Sequence, residues 1–266
     1  MAVRIKFDNT NNVIQPTFVL AHRNGKKIGA IPSENLKVLD NFNSCFELSM
    51  SVNKYNNGKE FKLWNDLKDF KLIWCREWDV WFEIYVELEE ENDTIKFISG
   101  ISLGEAELSQ INLYGIEVNT EDDIAREDYE PTILFDESNA NASLLHRISE
   151  KIPHYSFKHV DSSVANLQRT FSFDGVSIYD AFQEISKELN CIFIINSGTN
   201  SDGKIAREIS VYDLESNCLE CGHREDFTGA CPECHSENII VGYGDDTTIF
   251  VSTENLADNI NFSTDT

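Results

Sequence analysis

Two short motifs, Cys218-Leu-Glu-Cys221 and Cys231-Pro-Glu-Cys234, decide the fold of the later part of this chain. Nine residues separate the motifs, and each one places two thiols in a single tight turn. Four thiolates at this spacing can close a tetrahedral shell around Zn²⁺ at Zn–S distances of about 2.3 Å. Gly222 and Gly229 flank the turns and supply the backbone freedom that such knuckles need. The sequence therefore predicts a zinc ribbon with these four cysteines as ligands.

The predicted zinc site is structural, because four sulfurs leave no open position for an activated water. Two alternatives are a disulfide-bonded hairpin and four unrelated buried thiols. His223 and His235 lie beside the motifs and are conceivable replacements for a cysteine ligand, although four sulfurs already complete the shell. The remaining cysteines (Cys45, Cys75 and Cys191) stand in apolar, strand-like contexts, and we predict that they are core residues.

Composition limits the class of protein. The 266 residues suffice for two domains, and the longest strongly apolar run, Cys191 to Ile195, is far too short for a membrane span. With no signal peptide pattern, we expect synthesis in the cytoplasm. The net charge of −24 repels nucleic acid phosphates and anionic membranes. Residues 1–75 carry a net charge of +4 and residues 76–137 one of −16, which indicates either head-to-tail subunit contacts or a solubilising acidic face.

The first part of the chain has the alternating pattern of β-strands. Asn24-Gly25 joins two apolar stretches and predicts a hairpin with a type I′ turn. In the stretch 80–88, Glu83 and Glu87 alternate with apolar residues, so we expect the acidic side of that strand to face water. Half a dozen or more such strands predict a β-barrel or sandwich over residues 1–120.

After an acidic, aperiodic stretch the pattern becomes mixed. A short helix is expected from Ser143 to Ile152, and Ser177 caps a clearer helix that runs into the strand at 191–195. We assign 121–213 to an α+β domain, 214–240 to the zinc ribbon, and 241–266 to a β segment that returns to the first domain, with strands at 247–252 and 260–262. The predicted fold class is α+β, predominantly β.

Three weaker signals have competing interpretations. The stretch 198–204 fits seven positions of a phosphate-binding loop, but Ile205 occupies the position of the Mg²⁺-binding hydroxyl, so a hairpin loop is the better interpretation. His146, His154 and His159 lack the spacing of a zinc protease. The aromatic cluster (Trp64, Phe70, Trp74, Trp78, Trp81 and Phe82) is either a groove for carbohydrate or peptide, or core and subunit interface.

A further pattern runs along the whole chain. It comprises Pro16-Thr-Phe-Val-Leu20, Arg23-Asn-Gly25, Leu144-Leu-His-Arg-Ile148, Pro153-His-Tyr155, Val211-Tyr-Asp-Leu214, the ribbon and Thr248-Ile-Phe-Val-Ser252. Together these stretches resemble phage tail hub proteins, in particular the tail-tip or tail-associated proteins encoded by phages and prophages of Gram-positive bacteria.

The resemblance implies a hub of tube-type β-barrel domains with inserted α+β domains, which forms a homotrimer and caps the tail tube in the virion. Such a hub would be assembled in the bacterial cytoplasm, attach to the distal tail ring, contact the tape measure protein and open for DNA exit. Family members usually continue into fibre-like, receptor-binding or peptidoglycan-degrading segments that reach the host cell surface. Because the chain stops at Thr266 soon after a strand begins, we expect the natural polypeptide to continue.

The resemblance carries over no catalytic residue, only the four ribbon cysteines as structural Zn²⁺ ligands. It gives the charge a meaning, since a lumen lined by carboxylates lets DNA slide past without specific binding. The alternative is an enzyme, a peptidase or cell-wall hydrolase acting during phage entry. A zinc-ribbon nucleic-acid binder ranks last, because no positive patch is present.

Overall fold

The computed structural model describes residues 6–7, 13–14, 16–40, 46–88, 94–227, 229–243 and 260–262. Its contacts divide the chain into two compact units. The first unit holds residues 1–106, 197–206 and 250–266, and the second holds 107–196 and 207–249. The chain therefore leaves the first unit, builds most of the second, and returns to the first twice.

Short strands are the commonest regular element among the described residues. In chain order they are β1 (Lys6–Phe7), β2 (Val13–Ile14), β3 (Phe18–Ala21), β4 (Lys27–Ile31), β5 (Glu34–Asp40), β6 (Phe46–Asn53), β7 (Tyr55–Asn56), β8 (Lys59–Glu60), β9 (Leu72–Cys75), β10 (Val80–Leu88), β11 (Ile95–Ser102), β12 (Asn112–Leu113), β13 (Ile116–Val118), β14 (Ser156–Val160), β15 (Phe171–Phe173), β16 (Val176–Ser177), β17 (Cys191–Asn196), β18 (Glu208–Asp213), β19 (Ser216–Cys218), β20 (Arg224–Glu225), β21 (Ile239–Ile240) and β22 (Ile260–Phe262).

The helices contain fewer residues in total than the strands. They are α1 (Leu103–Leu108), α2 (Glu121–Ile124), α3 (Leu144–Ser149), α4 (Ser162–Ala165) and α5 (Ile178–Leu189), with 3₁₀ turns at Trp64–Asp66 and Ala140–Ala142. This balance of strand and helix confirms the predicted fold class of predominantly β within α+β. The domain boundaries drawn from composition stay a prediction. In the described part of the chain, no helix has the length and apolarity needed to cross a membrane.

An eight-stranded antiparallel sheet organises the first unit, in the order β22-β5-β6-β11-β10-β9-β3-β4. One face of this sheet is covered by the core of the first unit, to which alternate residues of β5 and β6 contribute. The core includes Phe18, Leu20, Leu36, Val38, Leu48, Met50, Val52, Ile73, Val80, Phe82, Ile84 and Ile98. The last strand, β22, comes from the far end of the chain and pairs with β5.

The hairpin predicted at Asn24-Gly25 forms between β3 and β4, but its turn differs from the type I′ expected. Only Gly25 has a positive φ, of 79°, among the loop residues. Its amide donates to the carbonyl of His22 at 2.8 Å, and the amide of His22 donates to Lys26 at 3.0 Å. Together with the register shift after Leu20, this is a type I turn closed by a glycine bulge, the usual three-residue hairpin loop.

The strand β10 does not follow the predicted alternation. Glu83 was expected to face water, yet its side chain is fully buried and pairs with Arg23 at 2.6 Å. The neighbouring Trp81 is 1% exposed, so both faces of β10 are covered as far as Ile84. The expectation was wrong for Glu83 because a residue 60 positions away supplies its counter-charge. Glu87, further along the strand, is exposed as predicted.

The segment 197–206 covers the outer face of β10 and belongs to the first unit. Thr199 donates from its amide and its hydroxyl to the carboxylate of Asp79, both at 2.8 Å. The same carboxylate accepts from the indole of Trp74 at 2.8 Å. Ile205 packs against the cluster around Trp81. The phosphate-loop resemblance of this stretch thus corresponds to a hairpin loop, with Thr199 and Ile205 forming a β-bridge.

The second unit packs α5 against a three-stranded sheet in the order β14-β18-β17. Ser177 caps α5 by accepting from the amide of Asp180, as its position before the apolar repeat predicted. The five residues expected on the buried face are all in the core: Ile178, Ala181, Phe182, Ile185 and Leu189. Ser143 caps α3 in the same way.

Asn119 holds the acidic, aperiodic stretch of the second unit in place. Its side-chain amide donates to the carbonyls of Thr132 at 2.7 Å and Arg169 at 2.8 Å, and its carbonyl accepts from the amide of Thr132 at 2.8 Å. The hydroxyl of Tyr129 donates to the same oxygen at 2.5 Å. A single buried amide therefore fixes a loop that has no apolar period of its own.

Candidate metal centre

The four cysteines of the two CxxC motifs converge on one point. The four Sγ atoms all lie within 4.8 Å of one another. Cys218 and Cys231 are fully buried, whereas Cys221 and Cys234 are exposed. The shortest pairs cross between the motifs, with Sγ atoms 3.4 Å apart for Cys218 and Cys234 and 3.6 Å apart for Cys221 and Cys231. Four thiols in this arrangement can bind a metal ion.

The two turns have the same backbone hydrogen bonds. In the first, the amide of Gly222 donates to the carbonyl of Cys218, and the amide of Cys218 donates to His223, both at 2.9 Å. In the second, the amide of His235 donates to Cys231, and the amide of Cys231 donates to Ser236, again both at 2.9 Å. The CxxC motifs are therefore two copies of one knuckle.

The equivalence of the knuckles shows which residue takes the left-handed conformation that each requires. Gly222 has φ 73° in the first knuckle, and the matching residue of the second is His235, with φ 59°. Gly229 also has a positive φ, of 86°, but it precedes the second knuckle and lies outside its turn. Gly229, the nearest glycine, was expected to supply the backbone freedom of the second turn. Instead a histidine adopts the left-handed conformation, which costs a residue with a side chain about 1–2 kcal/mol.

Backbone amides of the first knuckle point at its sulfurs. The amides of Cys221 and Glu220 donate to the Cys218 thiolate and lower its pKa to about 6. For Cys221, the amide of His223 favours the thiolate, but hydrogen bonding among the clustered thiols outweighs it and raises the pKa to about 12. Protons shared among crowded thiols are those that a divalent metal displaces when it binds.

A small sheet carries the knuckles, with strand order β20-β19-β21. β19 ends at Cys218, the first metal-binding candidate, and β21 follows the second knuckle. Ser216 on β19 is fully buried, and its hydroxyl donates to the carbonyl of Phe227 at 2.7 Å. Gly242 passes so close to the carbonyl of Leu214 that a β-carbon there would collide with it. The ribbon is thereby closed at its base.

Arg224 on β20 joins the ribbon to the body of the second unit. Its guanidinium donates to both carboxylate oxygens of Asp213, at 2.8 and 2.7 Å, and pairs with Glu215 at 2.6 Å. It also donates to the carbonyl of Leu189 at 2.6 Å, at the C-terminus of α5. The last carbonyls of a helix lack intrahelical partners and attract cations, so one arginine satisfies the helix end and the buried Asp213 together.

The side chains of the two histidines beside the ribbon are not part of the four-thiol cluster. His223 pairs with Glu225 at 3.2 Å and packs on Phe227, and His235 is exposed. Of the central histidines, His159 pairs with Asp161 at 2.7 Å. His146 stacks on Phe135 and His154 packs on Tyr155.

The aromatic cluster of the sequence divides between core and surface. Trp64, Trp78, Trp81 and Phe82 are buried, as the core interpretation predicted, whereas Phe70 is 50% exposed. The thiols of Cys75 and Cys191 are buried, and burial raises the pKa of each to about 12. Cys45 lies outside the described residues, as does the predicted strand at 247–252.

Sequence reasoning missed the charged residues that organise the second unit. Arg224 is one, and the ion pair of Glu107 with Arg207 is another, with two hydrogen bonds of 2.7 and 2.8 Å. Tyr155 donates to the same carboxylate at 2.9 Å. Isolated charges in a chain so rich in carboxylates carry no local signal of a partner about 100 residues away.

Comparison with known proteins gives matches only among solved structures. No protein-family model and no curated protein matches this chain. One similar structure is the prophage tail protein gp18 from Listeria monocytogenes EGD-e, with a TM-score of 0.47 and 10% identity over 73% of this chain and 50% of that one. Another is the 43 kDa tail protein of prophage MuSo2 from Shewanella oneidensis, with a TM-score of 0.43 and 10% identity over 77% and 58%.

A third similar structure is the PdpA–VgrG complex, with a TM-score of 0.34 and 14% identity over 73% of this chain and 34% of that one. The chain thus spans about half the length of the two tail proteins it matches. Prophage tail proteins are the class that the sequence resemblance also names.

Proposed function

We propose that this chain is a structural protein of a bacteriophage or prophage tail, the hub at the tail tip that caps the tail tube. The observation that carries this function is the insertion of one unit within the other. The sheet of the first unit is built from strands between residues 18 and 102 and is extended by β22 at 260–262. The whole α+β unit, including the ribbon, lies between them in the chain.

Such an insertion is the arrangement that the sequence resemblance implies for a tail hub, a tube-type β domain interrupted by an α+β domain. β22 pairs in register with β5, with Ile260 opposite Val38 and Phe262 opposite Leu36. Since β5 also pairs with β6, the returning strand extends the sheet at an edge that would otherwise present unpaired backbone groups.

We assign the metal of the ribbon as Zn²⁺, held by Cys218, Cys221, Cys231 and Cys234. A set of four thiolates suits Zn²⁺ and excludes the oxygen-preferring cations Mg²⁺ and Ca²⁺. The ion would contribute folding free energy to the ribbon, since structural zinc sites of this kind are unfolded without metal. The protein residues around it would supply backbone N–H donors to the sulfurs.

The acidic character fits a passage for DNA. A net charge of −24 disfavours phosphate binding, so a trimer that encloses an acidic channel would let DNA leave without sticking. In this role the chain acts as a homotrimer in the virion. Its partners are the distal tail ring, the tape measure protein and, through downstream regions, the host cell surface.

The test is the native mass of the purified chain by light scattering over a concentration range, followed by negative-stain imaging. We expect a species of three times the 30.3 kDa chain mass with a central opening, alone or after addition of the distal tail ring protein. If the mildly basic residues 1–75 make the subunit contacts, high salt weakens the assembly. A chain that stays monomeric with and without the ring protein contradicts the hub assignment.

A parallel assay separates the hub from the alternative drawn from the sequence. The same preparation is incubated with purified cell wall and with a generic peptide substrate. The hub assignment predicts no cleavage by these 266 residues. Turnover that is abolished by substitution of a central histidine, such as His159→Ala, would instead identify a hydrolase.

A further inference from the structure

The outer face of the first unit's sheet carries a groove that the proposed hub role does not use. Across β5, β6, β11 and β10 the register aligns Lys37, Ser49, Ser99 and Tyr85 in one row. A row to one side aligns Glu34, Ser51, Phe97 and Glu87, and a row to the other aligns Leu39, Glu47, Ile101 and Glu83. Two serines therefore lie in the middle of this face, between larger side chains.

The small serines leave a groove between those larger neighbours. Ser49 and Ser99 line two adjoining cavities, of about 150 and about 370 Å³. Tyr85 lines the smaller cavity and Phe97 the larger. The larger volume falls within the range of about 300–1,000 Å³ that small-molecule sites occupy.

Two exposed aromatic rings stand beside the groove. Tyr85 is 39% exposed and Phe97 is 48% exposed, and the two lie diagonally across neighbouring strands. Phe70 packs edge-on against Tyr85, with ring centroids 5.6 Å apart. Burial raises the pKa of the Tyr85 hydroxyl, and the nearby carboxylate of Glu83 adds to that rise. The edge-on contact with Phe70 supports the Tyr85 ring on one side.

Hydroxyls and carboxylates supply the polar part of the groove. Ser49 and Ser99 are exposed, and within the described ranges neither hydroxyl has a hydrogen-bond partner. Glu47 lines the smaller cavity and Glu87 the larger, and both side chains are exposed. Lys37 lies at the far end of the serine row. The groove accordingly offers acceptors along its length and a donor at one end.

We propose that this groove binds a neutral oligosaccharide of hexopyranose units. The apolar face of a pyranose ring packs on Tyr85 or Phe97, while its hydroxyls donate to Glu47 and Glu87 and exchange hydrogen bonds with Ser49 and Ser99. The carboxylates disfavour a uronic acid or a phosphorylated glycan by charge repulsion. Two rings and two cavities suit a chain of two or three sugars.

The composition of the groove disfavours a protein partner. Protein interfaces are depleted in serine, glutamate and lysine at their core, whereas these residue types form the floor and ends of this groove. A second copy of the chain would also bring carboxylates against the carboxylates already present. The small, hydroxyl-rich floor is suited to a ligand that carries many hydroxyls.

The experiment is titration of the whole chain with trisaccharides of glucose, N-acetylglucosamine and galactose, followed by calorimetry and by amide NMR shifts. We expect saturable binding of at least one of them, with shifts confined to β5, β6, β10 and β11. Tyr85→Ala and Phe97→Ala should each weaken that binding about tenfold, and Ser49→Val with Ser99→Val by a similar factor. Tyr55→Ala is the matched control, because Tyr55 is 52% exposed on the β7–β8 hairpin of the same unit.

Tryptophan emission checks that each variant is folded, since all four tryptophans lie in the first unit. The inference is overturned if no trisaccharide binds up to its solubility limit, or if the Tyr85, Phe97 and Tyr55 variants bind equally well. It is also overturned if the groove variants abolish self-association of the chain and change nothing else, because the face is then a subunit interface. None of these results depends on the hub assignment, since a monomer that is absent from virions could still bind the sugar.

Discussion

Replacing Arg224 should disconnect the ribbon from the body of the second unit. The Arg224 side chain is 19% exposed and that of Asp213 is 4% exposed, so the pair is largely shielded from water. Arg224→Met keeps the aliphatic stem but leaves the carboxylate of Asp213 without its cation. Removing one partner of a buried ion pair costs about 3–5 kcal/mol. Because the carbonyl of Leu189 also loses its donor, we expect a loss of at least about 3 kcal/mol.

The assay is urea unfolding followed by two signals. Metal release, detected by a chromogenic chelator, reports the second unit, and tryptophan emission reports the first, where Trp64, Trp74, Trp78 and Trp81 all lie. Arg224→Met should move the metal-release transition and leave the emission transition in place. The matched control is Arg126→Met, since Arg126 pairs with Asp128 at 3.5 Å in an exposed position and should cost less than about 1 kcal/mol.

A double-mutant cycle isolates the pair itself. In Asp213→Asn the buried charge is gone, so adding Arg224→Met should cost less than it does in the unchanged protein, by about 1–3 kcal/mol. A loss below about 1 kcal/mol for Arg224→Met, or one equal to that of Arg126→Met, would refute the anchoring role.

Three further predictions concern the metal, the knuckles and acid stability. Chelation of Zn²⁺ should melt the region 214–240 while tryptophan emission, and hence the fold of the first unit, stays unchanged. Collapse of both signals together would contradict the partition into separate domains. His235→Gly should stabilise the metal-loaded ribbon by about 1 kcal/mol in thermal unfolding, and Gly222→Ala should destabilise it by a similar amount, because both positions have positive φ. Burial opposes ionisation of Glu107, but hydrogen bonds from Arg207 outweigh it and lower the pKa of this carboxyl below the usual 4.5. The ionised Glu107 therefore stabilises the fold above pH 4.5, and this contribution is lost as the pH falls through the lowered pKa. Glu107→Gln should therefore flatten the fall of melting temperature in that acid range, and an unchanged pH profile would show that the pair is unimportant.

The parts of the structure that sequence predicted well are those decided by near neighbours in the chain. The buried face of α5 follows from apolar spacing and the Ser177 cap, and the thiol cluster follows from two CxxC spacings. Each of these signals lies within a stretch of at most 17 residues. Local geometry therefore suffices to place them.

The parts that sequence missed depend on distant partners. Glu83 is buried because Arg23 reaches it, and Arg224 matters because the end of α5 lies beside it. The turn at Gly25 was assigned to the wrong type because the choice depends on the bulge in the paired strands. His235 shows a different limit, since the positive φ of a non-glycine residue is set by the knuckle and has no residue signature.

The covering of β10 by the segment 197–206 has a consequence for how the protein emerges from the ribosome. Asp79 and Thr199 are 120 residues apart, and translation at about 5–20 residues per second separates them by roughly 6–24 seconds. Throughout that interval the nascent chain presents Trp74 and Trp81 without the loop that later shields them. The inserted unit is completed later still, because its central strand β18 and the ribbon follow the loop in the chain. A nascent-chain chaperone has its best opportunity to act in this window, and synonymous codons that slow translation between 80 and 197 would lengthen it.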